Sequence, residues 1–135
     1  MGGFDLEAEL ARAKSGKFGV GFITWALARA PQMLTKALRY TPFCVFLSFG
    51  DPRPFAAQIR NAGAALICQV QFLSQLDMAL EAGAAAVVVQ ANEAGGHGAT
   101  NRSTFPFVPE AADYLKQRSP RTLLIAAGGI ADGRG

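Results

Sequence analysis

The feature that most constrains the fold of this 135-residue chain is a regular alternation between short apolar runs and segments with helical spacing. The apolar runs are too short for typical helices and lack strict polar alternation. Near-continuous apolar runs of this kind are typical of strands in a parallel sheet, because both faces of such a sheet are covered. We therefore predict five strands, at Phe18–Trp25, Phe43–Phe49, Ala65–Val70, Ala85–Gln90 and Thr122–Ala127.

The segments between these runs predict helices. Asp5 is a candidate N-cap, Ser74 with Asp77 forms a variant of the capping box, and prolines suit the first turn of a helix. In the last helix we expect Ala112 and Leu115 to face inward. The predicted helix starts are Asp5, Pro31, Pro54, Ser74 and Pro109.

The resulting order is one helix, four strand–helix units and a final strand. Strands that alternate with helices of this length predict βαβ units and a parallel sheet, so the fold class is α/β. Right-handed crossovers then leave two main architectures, an open doubly wound sheet or a barrel, and periodicity does not choose between them. No linker or repeat divides the chain, and residues 1–135 are predicted to form one domain or part of one.

Composition excludes several classes of protein. Half of the residues are hydrophobic and 17% are charged, which excludes a disordered tail. The net charge of +3 comes from scattered basic residues, so no nucleic-acid-binding stripe is predicted. Cys44 and Cys68 lie in apolar runs, and we expect buried free thiols. The start of the chain lacks a signal-peptide pattern, and no apolar stretch approaches the roughly 18 residues of a membrane span. We expect a soluble, cytoplasmic protein.

The first stretch that indicates chemistry follows the fourth predicted strand. Val87–Gln90 leads directly into a loop in which Gly95, Gly96 and Gly98 surround His97, the only histidine of the chain. In parallel α/β folds the loops after the strands line the active site. Glycine lets backbone N–H groups approach a ligand, and histidine transfers protons near neutral pH. A simple turn with a surface histidine is the alternative interpretation.

The second stretch follows the last predicted strand, where Gly128 and Gly129 come directly after Ala127. In barrels the loops after the seventh and eighth strands commonly bind phosphate. A strand-to-helix turn explains one glycine pair equally well. Two such loops, on strands separated by one helix, favour a ligand site.

These two stretches, AVVVQANEAGGHGA and LIAAGGIADGRG, resemble the nitronate monooxygenase family. The segments FGVGFITW, FLSFGDP and ALICQV look like consecutive barrel strands of that family, so the resemblance covers nearly the whole chain. The same two motifs also resemble flavin-dependent enoyl-ACP reductases. They therefore identify the wider superfamily better than the reaction.

The resemblance implies a (β/α)8 TIM barrel that holds FMN non-covalently. It implies that His97 is the general base that removes the proton beside the nitro group of a neutral nitroalkane. The nitronate would then be oxidised with O2 to a carbonyl compound and nitrite. The substrate would be a small nitro compound, and an NAD(P)H-dependent enoyl reductase or a non-catalytic remnant remains an alternative.

The resemblance also implies the cofactor contacts. Gly95 and Gly96 would lie against the flavin or its ribityl chain, and Gly128 and Gly129 would face the phosphate. Gln90 would hydrogen-bond the ribityl hydroxyls or a neighbouring group. Gln69 would also bind the cofactor, where some relatives have a lysine near the flavin; a glutamine can hydrogen-bond there but supplies no positive charge. Gly21 stands where some relatives have an asparagine near the flavin.

By the same resemblance the five strands correspond to the third to seventh of the barrel. A complete barrel has eight strands and typically about 250 residues. The chain is thus predicted to be a partial barrel, with open edges at its first and last strands that favour self-association. No metal site is predicted. Trp25 is expected to pack in the core rather than line a substrate pocket, and Glu93 either orients His97 or is solvated.

Overall fold

A computed structural model describes residues 5–13, 16–98 and 102–134 of the chain. Strands and helices alternate as the sequence predicts. Ala99, which ends the first glycine-rich motif, and Gly135, which ends the second, lie outside the described residues. In chain order the elements are α1 (Leu6–Ala13), β1 (Gly19–Ile23), α2 (Thr24–Arg29), α3 (Gln32–Leu38), β2 (Cys44–Ser48), α4 (Arg53–Asn61), β3 (Ala65–Val70), a 3₁₀ turn (Leu73–Gln75), α5 (Leu76–Glu81), β4 (Ala86–Gln90), α6 (Thr104–Arg118) and β5 (Leu123–Ala127).

The topology of the sheet decides between the two architectures that the sequence left open. All neighbouring strands are parallel, and the strands lie in the order β1-β2-β3-β4-β5. A doubly wound sheet reverses its strand order at a switch point and carries helices on both faces. Here the order never reverses. The fold is a partial (β/α)8 barrel, as predicted.

The helices cover one face of this sheet. Alternate residues of the central strands face the helices and join the core, such as Val45 and Leu47 of β2 and Val87 and Val89 of β4. These side chains pack against apolar residues of the helices, of which the largest fully buried ones are Leu34, Ile59, Leu76 and Phe107. Burial of these residues is what holds the helices on the sheet.

No helix of the described residues packs on the opposite face of the sheet, which we call the uncovered face. Register places Gly21, Phe46, Ile67, Ala86 and Leu123 side by side on this face. Residues on both faces of β4 are nevertheless nearly all buried, as the sequence predicts, whereas the expectation is wrong for β1 and β5. At these two outer strands the residues are exposed or half-buried.

The last helix begins earlier than predicted. α6 starts at Thr104, one and a half turns before Pro109, which lies inside the helix on its exposed side. Phe107 is fully buried, and its burial favours the additional helical turn. The longer helix also shows that Ala111 faces the core with Leu115, whereas Ala112 is exposed. The inward orientation predicted for Ala112 was wrong.

Other local predictions had mixed outcomes. The Asp5 cap is confirmed, since its carboxylate accepts the backbone N–H groups of Glu7 and Ala8. Ser74 lies within the 3₁₀ turn and caps nothing, because α5 begins at Leu76. Trp25 lies in α2 rather than at the end of a strand and is 53% exposed, so its predicted core packing is wrong.

The two cysteines are free, as predicted, but they differ in burial. Cys68 is buried, and burial raises the pKa of its thiol to about 12. Cys44 is only half-buried, because it lies on the uncovered face. In the described part of the chain no helix combines the length and apolarity that a membrane span requires.

Candidate active site

Three glutamine amides meet where β3 and β4 end. Gln69 donates from Nε2 to Oε1 of Gln90 at 2.5 Å, and Gln71 donates from its Nε2 to the same oxygen at 2.8 Å. Gln71, just beyond β3, is 3% exposed. The sequence predicted Gln69 and Gln90 as site residues and missed Gln71. The partner of Gln71 lies 19 residues away along the chain. The sequence therefore shows only a second glutamine two residues after Gln69, and nothing that connects it to Gln90.

The two donated hydrogen bonds fix the orientation of the Gln90 amide. Because Oε1 accepts from β3, Nε2 faces the glycine-rich loop and donates to the carbonyl oxygen of His97 at 3.2 Å. One N–H of the Gln90 amide is used in this bond. Gln90 therefore connects the sheet to the loop that carries the histidine.

His97 itself lies on the exposed side of this loop. Its imidazole contacts the ring of Phe49, with ring centroids 6.2 Å apart and an interplanar angle of 68°, which is an edge-to-face arrangement. A Cβ added at Gly95, Gly96 or Gly98 would meet no heavy atom within 4 Å. The loop thus presents its histidine and bare backbone to the same open space.

Glu93 is exposed, as the second interpretation of the sequence expects, and the hydrogen bonds that the described structure gives its carboxylate come mainly from Thr104 rather than from His97. Its carboxylate oxygens lie 3.1 and 3.0 Å from the backbone N of Thr104, and one of them also contacts the Thr104 hydroxyl. The carboxylate thus binds the first turn of α6, where negative charge is favoured. Partial desolvation raises the pKa of Glu93, but hydrogen bonds from its own backbone N–H, from the Thr104 N–H and from the Thr104 hydroxyl outweigh it and lower the pKa below 4.5.

The two glycine-rich loops pack against each other. Gly128 has φ +123°, and a Cβ there would lie 3.0 Å from the backbone N of Ala94. Gly129 has φ +72°, and a Cβ there would lie 3.1 Å from the Cβ of Glu93. The backbone N–H of Ala91 also donates to Ala127 at 2.9 Å. The glycine pair is therefore required for contact between the loops, a reason that the sequence did not reveal.

All seven predicted site residues lie at one edge of the sheet. Gln69 and Gln90 are hydrogen-bonded, Gly95 and Gly96 precede His97 in the loop that Gln90 holds, and the glycine pair after β5 contacts that loop. Within the described segments no group of three or more His, Cys, Asp or Glu side chains has metal-binding geometry. The arrangement holds the backbone of an exposed histidine with a glutamine amide, next to open glycine backbone.

A parallel sheet in unbroken sequential order, with a helix after each strand but the last, defines the class of the protein, the (β/α)8 barrels, of which it is a part. A sequence model of the nitronate monooxygenase family matches residues 7–135, and the chain belongs to that family.

Curated relatives agree with this assignment, and a solved structure shares the fold. The chain is 36% identical over 131 residues to nitronate monooxygenase npaC of Metarhizium robertsii, covering 87% of this chain and 35% of that protein. It is 35% identical over 115 residues to a nitronate monooxygenase of Paraburkholderia phytofirmans, covering 78% and 30%. FabK from Thermotoga maritima superposes with a TM-score of 0.81 at 29% identity, covering 96% of this chain and 40% of FabK. The chain thus spans about a third of the curated relatives it matches.

Proposed function

We propose that this chain supplies the histidine-bearing part of an FMN-dependent enzyme that oxidises nitronates or nitroalkanes with O2 to a carbonyl compound and nitrite. The observation that carries the proposal is the position of His97, which Gln90 fixes at the carboxyl edge of the sheet, beside bare glycine backbone. Membership of the nitronate monooxygenase family supports the reaction type.

The residues at this edge suit FMN. Gln90 keeps one N–H beyond the bond to His97, and Gln69 presents its amide from a half-buried position on the uncovered face. Gly95 and Gly96 leave room for a flat ligand, and Gly128 and Gly129 form the loop proposed to face the phosphate. When bound, FMN supplies the two-electron redox chemistry that connects the nitro compound to O2.

His97 is proposed to act on neutral nitroalkanes as the general base. A neutral imidazole nitrogen accepts the acidic proton on the carbon beside the nitro group and leaves the nitronate anion. The exposed position of His97 gives substrate access to its ring, and the open glycines around it leave space for the substrate. A preformed nitronate has already lost this proton and needs no base.

The test compares these two substrate forms. We expect His97→Ala to lower nitrite production from a neutral nitroalkane by about 10²–10⁴-fold, the usual contribution of a general base. Production from the preformed nitronate should stay near that of the unchanged chain. Asp113→Asn, on the exposed side of α6, serves as the matched control. Undiminished turnover of the neutral substrate by His97→Ala would refute the assignment, and FMN titration of each variant separates loss of binding from loss of chemistry.

A second candidate function is that of a flavin-dependent NAD(P)H enoyl-ACP reductase, which the likeness to FabK favours. The rate of NADH oxidation by the FMN-loaded chain distinguishes the two. Nitronate-dependent nitrite formation without NADH supports the monooxygenase, whereas NADH oxidation that requires an enoyl substrate supports the reductase. A chain that binds no FMN would instead be a non-catalytic remnant.

A further inference from the structure

Phe49 is the only residue outside the glycine-rich loop that the described structure places in ring contact with His97. It lies one residue beyond β2, and its ring meets the imidazole edge to face. We infer that Phe49 is a positioning residue, whose backbone conformation aims its ring at His97 and so fixes the orientation of the imidazole. The inference rests on the proposed role of His97.

The backbone of Phe49 supports this inference. Its φ of +59° lies in the left-handed region, which a bulky residue rarely adopts. Such strain persists where the surrounding structure holds it and is found preferentially at functional sites. The next residue, Gly50, also has a positive φ of +154°, so the turn after β2 places two consecutive residues at positive φ, and only one of them is glycine.

The surroundings that hold Phe49 come from the neighbouring strand unit. The backbone N–H of Trp25 donates to the carbonyl oxygen of Phe49 at 3.3 Å. Gly50 lies so close to Thr24 that an added Cβ would be 2.9 Å from the threonine Cβ, and Thr24 is 2% exposed. The start of α2 therefore fixes the Phe49 backbone, and the ring extends from this fixed point to the loop after β4.

The contact also complements the bond from Gln90. That bond holds only the backbone of His97, through its carbonyl oxygen. The glycines on both sides of the histidine leave the side chain free to change direction. The ring of Phe49 lies against the imidazole and restricts the direction of the His97 side chain, which the hydrogen bond from Gln90 does not fix.

The single histidine makes a direct test possible. In a chain without a histidine tag, the imidazole C–H resonances belong to His97 alone, and a neighbouring aromatic ring displaces them. We expect Phe49→Asn and Phe49→Leu to return these resonances towards those of a free histidine side chain. Phe49→Tyr should keep them near their original positions. Phe105→Leu, at an exposed phenylalanine far from β2 in sequence, is the matched control and should also leave them unchanged.

The choice of asparagine protects the test against misfolding, because asparagine tolerates the left-handed conformation better than phenylalanine does. Unchanged His97 resonances in a folded Phe49→Asn chain, or resonances of a free side chain in the unchanged protein, would overturn the inference. In the FMN-loaded chain, Phe49→Asn should lower kcat for a neutral nitroalkane roughly ten- to a hundredfold and leave nitronate turnover unaffected. The His97 resonances could shift as expected while no variant, nor the unchanged chain, shows activity. That result would contradict the proposed function and would support the contact between Phe49 and His97.

Discussion

At the scale of single residues, contact between the two glycine-rich loops depends on Gly128. We expect Gly128→Ala to lower the free energy of unfolding by about 1–3 kcal/mol, because the methyl group meets the backbone of Ala94 and φ +123° is strained for alanine. Urea unfolding followed by circular dichroism measures the change.

Gly95→Ala is the matched control for this substitution. Its added Cβ meets nothing within 4 Å, and we expect an effect within about 0.5 kcal/mol. Equal effects of the two substitutions would mean that the loops are not held together through the glycine pair.

The chemistry-bearing residues could be predicted from the sequence only in part. The rule that loops at the carboxyl edge carry function indicated the loop of His97, whereas Gln69 and Gln90 were implied by the resemblance to the family. Gln71 and Phe49 gave no such signal. Gln71 owes its role to a partner on the next strand, and the φ of Phe49 depends on its contact with the start of α2.

At the scale of elements, Glu93 connects the loop after β4 to the first turn of α6. The folded-state pKa of its carboxyl is lowered, so its contribution to stability is present above the unfolded pKa, near 4.5, and is lost as the pH falls through the folded value. We therefore expect Glu93→Gln to lower the urea midpoint at neutral pH and to match the unchanged chain at low pH.

Measuring the urea midpoint of both proteins across this pH range tests the prediction. Asp113→Asn, on the exposed side of α6, removes a carboxylate without touching the first turn of the helix and controls for net charge. A difference between Glu93→Gln and the unchanged chain that does not vary with pH would show that the charge of Glu93 does not act on α6.

The strands were predictable to within one or two residues because each is a short apolar run between polar turns. Helix starts were less predictable. Pro109 suits a first turn, but the burial of Phe107 draws residues before it into α6. Ser74 with Asp77 matches a capping pattern. The side-chain oxygen of Gln75, however, is what accepts a hydrogen bond here, from the backbone N–H of Gln71. A tertiary contact decided the first case, and a competing local hydrogen bond decided the second.

At the scale of the whole molecule, the uncovered face and the two outer strands determine how the chain behaves in solution. Among the five described strands, β1 pairs only with β2 and β5 only with β4. On β5, Leu123 is 66% exposed and Ile125 is 43% exposed. Unpaired strand edges with exposed apolar side chains promote association. We propose that the chain self-associates through these edges.

Light scattering coupled to size-exclusion chromatography, over a range of protein concentrations, tests this proposal. We expect a mass above that of one chain that rises with concentration. Leu123→Lys should reduce it, because a charge on an edge strand opposes pairing with another edge. Gln117→Lys, on the exposed side of α6, adds the same charge away from the sheet and should leave the mass unchanged. A single-chain mass at every concentration would contradict the proposal, since the exposed apolar edge would then be tolerated in water without a partner.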